Sequence, residues 1–204
     1  MQSDKFYTVK NESEAELKVK GSRFMGRAFN CSTIKACEAI LTDLRKNYYD
    51  ATHHCFAYRI GHGREALFRY SDDGEPNGTA GKPIFDRIEG LNLTDTLVVV
   101  TRYYGGTKLG TGGLTHAYSD AAGMALEKAG KLKCYLTGKL RLFLEFSDYN
   151  PVERLIQKYE GRIVKSDFGE KVALVVELRR SRLKKFTGKI TDMTSGRAVC
   201  EEEA

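Results

Sequence analysis

Two glycine-rich segments hold the residues of this sequence best suited to chemistry. The first runs Asp72-Asp73-Gly74-Glu75-Pro76-Asn77-Gly78-Thr79-Ala80-Gly81-Lys82-Pro83; the second runs Thr101-Arg102-Tyr103-Tyr104-Gly105-Gly106-Thr107-Lys108-Leu109-Gly110-Thr111-Gly112-Gly113. Residues 74–81 and 105–113 contain eight of the chain's 20 glycines. Such density marks backbone at unusual dihedrals or in close contact with something. Each segment leads into an expected helix, so unsatisfied N–H groups and the positive end of a helix dipole would stand beside glycines that let an anion approach. The chemistry this predicts is phosphate positioning, with Gly78, Thr79, Gly81 and Lys82 on one loop and Arg102, Tyr104, Gly105, Gly106, Lys108, Gly110, Gly112 and Gly113 on the other. Tyr103 and Tyr104 end a strand, where alternation turns one ring inward and the other toward the loop surface, placed to stack on a base. Neither segment contains GxxxxGK followed by Ser or Thr, or a complete GxGxxG, so ATP or dinucleotide binding is not supported.

A second constellation is polar. Asp72, Asp73 and Glu75 are close enough in sequence to hold Mg²⁺ or share a proton, the work of an enzyme, although Asp and Gly are equally the residues of a turn that caps its own backbone. His53, His54 and Cys55 precede them. Adjacent strand residues point to opposite faces, so His53 and Cys55 share one side without His54, and a third metal ligand would come from a distance, as from His116 or Asp73. Cys55 with a histidine base is a possible nucleophile. No bound metal or cofactor is expected.

The elements that position these residues follow from periodicity. Ala15, Leu17 and Val19 alternate with charged neighbours, Gly21-Ser22 turns the chain, and Phe24 to Phe29 continues as a strand. Ser32 is placed to cap a helix carrying Ile34, Cys37, Ile40, Leu41 and Leu44. Strands are predicted at 54–60 and 65–71, a short helix between Pro83 and Gly90, and a strand at 96–104 whose β-branched run reads as covered on both faces. A helix with Leu114, Ala117, Tyr118, Ala121 and Ala125 on one face follows the second glycine segment. From about Leu132 the pattern starts afresh. Leu140, Leu142, Leu144 and Phe146 face one way, a helix opens at Asn150-Pro151, strands cover 162–168 and 171–178, and a last helix carries Leu183, Phe186 and Ile190 before a short strand ends near Cys200. That order, βαββαβ, is ferredoxin-like. The expected domains are 1–133 and 134–204, in the α+β class.

Composition narrows the function classes. The chain has 204 residues and a net charge of +6. The excess is uneven: residues 131–204 hold 16 Lys+Arg against 11 Asp+Glu, including the run Arg179-Arg180-Ser181-Arg182-Leu183-Lys184-Lys185. A polyanion such as RNA is a natural partner for it. Phe143 lies off the apolar face of its strand, where an aromatic can stack on bases or be buried at a domain interface. The longest apolar run, Leu97-Val98-Val99-Val100, is far too short to span a bilayer, and the N-terminus lacks a secretory pattern, so the protein is expected in the cytoplasm, with no membrane partner. Five scattered cysteines without a CxxC pair predict reduced thiols.

Taken together, the run from His53-His54-Cys55 through Ser71 to Pro83, then Val99 to Gly106 and Lys108 to Leu114, resembles the signature of the IMPACT family, bacterial YigZ group. The resemblance spans about residues 15 to 130. It implies an N-terminal α/β sandwich like domain 2 of ribosomal protein S-five and domain IV of elongation factor G, with a left-handed crossover against the usual rule. The C-terminal part resembles domain V of elongation factor G. Eukaryotic members regulate translation, so the implied ground is association with RNA, the ribosome or a translation-associated protein. Family members usually carry a basic residue where this chain has His116. The leading expectation is a non-enzymatic, monomeric RNA- or ribosome-associated protein. The alternatives are a metal-dependent small-molecule hydrolase or phosphate-processing enzyme using Asp72, Asp73 and Glu75, and a protein-interaction module.

Overall fold

The computed structural model describes residues 4–203. Its contacts divide the chain into two units, Phe6–Cys134 and Tyr135 onward, with Asp4 and Lys5 belonging to the second. The sequence assigns those first residues to the N-terminal domain. They join the C-terminal unit because Asp4 anchors it: its carbonyl accepts from the Leu136 amide at 2.7 Å and its carboxylate accepts from the Ser181 hydroxyl at 2.6 Å.

The N-terminal unit contains, apart from the end residues Lys5 and Tyr135, β1 (Lys5–Val9), β2 (Ser13–Val19), β3 (Ser22–Asn30), α1 (Ile34–Asn47), β4 (His53–Ile60), β5 (Leu67–Ser71), α2 (Gly81–Gly90), β6 (Thr96–Tyr103), α3 (Gly110–Ala129) and β7 (Lys131–Tyr135). Five of these strands form an antiparallel sheet in the order β2-β3-β6-β4-β5, and β1 pairs with β7. Central β6 is buried on both faces, as its β-branched run predicts: Val98 and Val100 pack with α2 and α3, while Leu97 and Val99 pack with α1. The sheet therefore has helices on both sides.

The connections β3-α1-β4 and β5-α2-β6 each join parallel strands that flank one antiparallel strand. They run in opposite directions along the sheet, start from strands of opposite sense, and use helices on opposite faces. Three reversals invert the hand, so one of the two crossovers is left-handed, a geometry that only about 2% of such connections adopt.

The C-terminal unit runs β8 (Thr137–Leu144), α4 (Phe146–Lys158), β9 (Arg162–Phe168), β10 (Val172–Arg179), α5 (Arg180–Met193) and β11 (Val199–Glu203), with sheet order β11-β8-β10-β9. This is the expected βαββαβ order. Leu140, Leu142 and Leu144 meet Val152, Ile156, Leu183, Phe186 and Ile190 in one core under both helices.

Several boundaries differ from the sequence reading. Thr33, not Ser32, caps α1, accepting from the Ala36 amide at 3.2 Å. Helix α4 begins at Phe146, so Pro151 lies inside it. Contacts upstream of the proline hold the first turn in place: Asp148 pairs with Arg197 at 2.9 Å and Tyr149 packs edge-on against Phe168. Glu201 to Glu203 extend β11 along β8, where Glu203 meets Arg141 at 3.0 Å. Among the described residues no helix is long and apolar enough to cross a membrane.

Candidate functional site

The first glycine segment is closed by its own acid. Asp72 accepts from the amides of Gly78 at 2.9 Å, Ala80 at 2.9 Å and Gly81 at 2.8 Å, while the Thr79 amide donates to the Pro76 carbonyl at 3.1 Å. The entrance of α2 thus holds an internal carboxylate where the sequence reading places a phosphate. Gly81 is there for space, since a Cβ would stand 2.7 Å from the Ser71 nitrogen. Lys82 is not a free cation either, because it pairs with Asp86 one turn along α2.

Behind this loop lies a buried polar cluster. The Glu75 side chain, 4% exposed, takes an ion pair from Arg102 Nη1, a hydrogen bond from the Tyr118 hydroxyl at 2.7 Å, and has His53 Nε2 3.7 Å away. Arg102 is itself 4% exposed and its Nη2 also donates to the Ser22 hydroxyl at 3.3 Å. Its expected role as a phosphate-facing cation is therefore corrected: its charge is used inside, against Glu75.

The histidines and cysteine have structural partners. His53 Nδ1 donates to the Asp73 carbonyl at 2.8 Å. His54 Nε2 donates to the Tyr48 carbonyl at 3.1 Å and its Nδ1 accepts from the Thr101 hydroxyl, and burial lowers its pKa from the usual imidazole value. Cys55 Sγ donates to the Asp72 carbonyl at 3.0 Å, and burial pushes its thiol well above the usual range, so it is no nucleophile in this state. Asp73 accepts from the His54 amide at 2.7 Å and from Arg45 at 3.3 Å. The three acids of the hydrolase alternative are thus committed separately, and no three His, Cys, Asp or Glu side chains gather as a metal-ligand set among the described residues.

The second segment is different. Its start is pinned: the Tyr104 amide donates to the Thr52 hydroxyl at 3.0 Å, the Gly105 amide to the Ser22 hydroxyl at 3.1 Å, and a Cβ on Gly105 would fall 1.9 Å from the Gly21 carbonyl carbon. Beyond that point the chain opens to solvent. Gly106, Thr107, Lys108, Gly110, Thr111, Gly112 and His116 are exposed. Helix α3 starts without a side-chain cap and without an acid in its first turn. Lys108 has no ion-pair partner among the described residues. Gly106 and Gly110 have φ near +83° and +73°, which accounts for glycine there. Gly112 has no positive φ, and among the described residues a Cβ there would meet nothing within 4 Å beyond its own stretch of helix, so packing does not call for glycine at that position. Gly113 lies behind, against Leu109.

The tyrosines depart from the expected alternation. Tyr104 is 46% exposed, and Tyr103 does not enter the core either: its hydroxyl donates to Asp50 at 3.0 Å and its ring lies under Arg23. Ser22, Thr52 and Tyr118 complete the site; the sequence places Ser22 in a turn and Tyr118 on an apolar helix face but gives none of the three a role here, because each partner is tens of residues away.

Residues 20–126 match the Impact N-terminal domain, and residues 142–197 match a domain of unknown function, DUF1949. The chain is 34% identical over 179 residues to the IMPACT family member YigZ of Escherichia coli (strain K12), covering 87% of this chain and 88% of that protein. Similarity to the IMPACT family member YvyE of Bacillus subtilis (strain 168) is 29% over 197 residues, or 97% and 90% of the two chains. A crystal structure described as that of a hypothetical protein superposes with a TM-score of 0.71 at 29% identity, covering 100% of this chain and 99% of that one.

Proposed function

The chain belongs to the IMPACT family, and from that premise we propose that it is a cytoplasmic, monomeric RNA- or ribosome-associated protein that modulates translation by contacting phosphate at the entrance of α3. The observation that carries the reading is the contrast between the two helix entrances. That of α2 is filled by Asp72, whereas that of α3 presents to solvent amides without a side-chain cap, bare glycines and Lys108, which has no ion-pair partner among the described residues. Such an entrance attracts negatively charged oxygen. Tyr104, six residues before α3 in the same segment, is exposed and offers a ring for a base, and His116 lies one turn beyond Gly112 on the same helix face. Arg102, Glu75 and the first glycine loop support the surface from within. In this reading the N-terminal unit works as domain 2 of ribosomal protein S-five or domain IV of elongation factor G would, the C-terminal unit resembles domain V, and the left-handed crossover of that resemblance is one of the two connections of opposite hand.

The test is ribosome co-sedimentation across a salt series. Wild-type association should fall steeply with added salt, and Lys108→Gln should weaken it and reduce the slope of log K against log salt by about 0.7 to 0.9, one phosphate contact. Association that is absent, insensitive to salt, or identical in Lys108→Gln would refute the reading.

A further inference from the structure

Helices α4 and α5 enclose a groove of about 430 Å³ lined by Leu155, Lys158, Tyr159, Arg182, Lys185 and Lys189. Its lining holds four cations and no acid. The floor is apolar and fixed: Leu155 and Tyr159 pack on the core, with the Tyr159 ring edge-on to Phe186 at 5.3 Å. Arg182 is held as a post, its Nη1 donating to the Tyr159 carbonyl at 2.7 Å and its Nη2 to Glu160 at 3.2 Å. The lysines are freer. Lys158 and Lys185 have no ion-pair partner among the described residues, and Lys189 has only an exposed contact with Asp192 at 3.7 Å.

The fold does not explain these charges. Basic residues crowd the first half of α5, against its dipole, and its first turn contains no acid of its own. The helix start is stabilised instead by Asp4, which accepts from the Ser181 amide and hydroxyl. Gly188, three residues past Lys185 on the exposed surface, has nothing within 4 Å of a built Cβ, leaving the helix bare beside that lysine.

We propose that this groove is a second phosphate-binding site, on the C-terminal unit itself, which takes the backbone of an RNA strand across Lys158, Lys185 and Lys189. The distribution of charge selects the ligand. A single phosphate group, as on a phosphopeptide, is taken by converging arginine forks, and the one arginine here is already engaged. Three separate point charges, two of them about 6 Å apart along one helix, suit a polymer that repeats its charge. The choice of RNA rests on the reading above; the site does not, because it shares no residue with the α3 entrance.

Fluorescence anisotropy of a labelled single-stranded oligouridylate, titrated with the full chain at several salt concentrations, tests the proposal. Lys158→Gln/Lys185→Gln/Lys189→Gln should weaken binding at least tenfold and lower the salt slope by about 2, while Lys158→Arg/Lys185→Arg/Lys189→Arg keeps both. An unchanged affinity and slope in the glutamine variant would overturn the groove, as would absence of wild-type binding to RNA, or binding to phosphatidylserine vesicles in its place. Lys108→Gln, measured alongside, reads the α3 entrance separately, so either surface can fail while the other stands. Matching thermal melts of the two triple variants guard against a folding defect.

Discussion

Removing the Arg102 guanidinium leaves the Glu75 carboxylate buried with only Tyr118 and His53 beside it. Breaking a buried pair from one side costs about 3–5 kcal/mol, because the remaining charge keeps its desolvation penalty. Arg102→Ala should therefore lower stability by that amount in denaturant titration, whereas Lys108→Gln should change it by less than about 0.5 kcal/mol, as for an exposed side chain with no ion-pair partner among the described residues. If Arg102→Ala unfolds at the wild-type midpoint, the buried pair is not structural. The two residues have the same charge and lie in the same glycine segment, and residue type alone gives them the same role. What separates them is the register of β6 against β4 and β3, which carries Arg102 opposite His53 and Phe24 and into the interior.

At the scale of elements, glycine has three distinct meanings here. Gly26 lets α3 lie directly on β3, since a Cβ would stand 2.3 Å from the Ala121 carbonyl oxygen. Gly110 has positive φ at the start of α3. Gly112 meets neither condition, and within a helix a glycine is less favourable than alanine by about 1 kcal/mol. Gly112→Ala should accordingly raise stability by up to about 1 kcal/mol while weakening ribosome association, and Gly26→Ala should lower stability by about 1–3 kcal/mol or more. Gly112→Ala with unaltered association would show that its bare surface is not used for close approach. Periodicity alone locates most strands and helices, because burial on one face or on both leaves a pattern in the chain. Caps and ends are less legible: the start of α4 depends on Arg197 and Phe168, far along the sequence.

For the whole molecule, the two units should respond differently to acid. All four histidines, at 53, 54, 62 and 116, fall within the N-terminal unit. The folded-state pKa of His54 is depressed by burial below the usual 6.5, so the unfolded chain binds its proton first. The stability that the neutral imidazole contributes is complete above pH 6.5 and is lost as pH falls from there through the lower folded value. In the C-terminal unit Glu160 and Glu177 are held below the usual carboxylate value of 4.5 by hydrogen bonds from Arg182 and Arg162, so their contributions persist until more acid conditions. Hydrogen exchange between pH 7 and pH 5 should show protection falling in the core strands β4 and β6 and holding in β8 and β10. Equal loss in both units would contradict this assignment, and His54→Gln should remove the dependence in the first.

The sequence by itself determined the two-part organisation, the βαββαβ order of the C-terminal unit and the family signature, since each is written in local patterns of polarity, glycine and turn residues. Only the tertiary structure decided which charges face outward. Asp72 folds back onto the amides of its own loop, Arg102 turns in to Glu75, and Lys158 comes to stand beside Lys185 and Lys189 across two helices. The physical reason is that a charge must either be solvated or find a partner, and which of these happens depends on neighbours brought close by strand register and helix packing rather than by position along the chain.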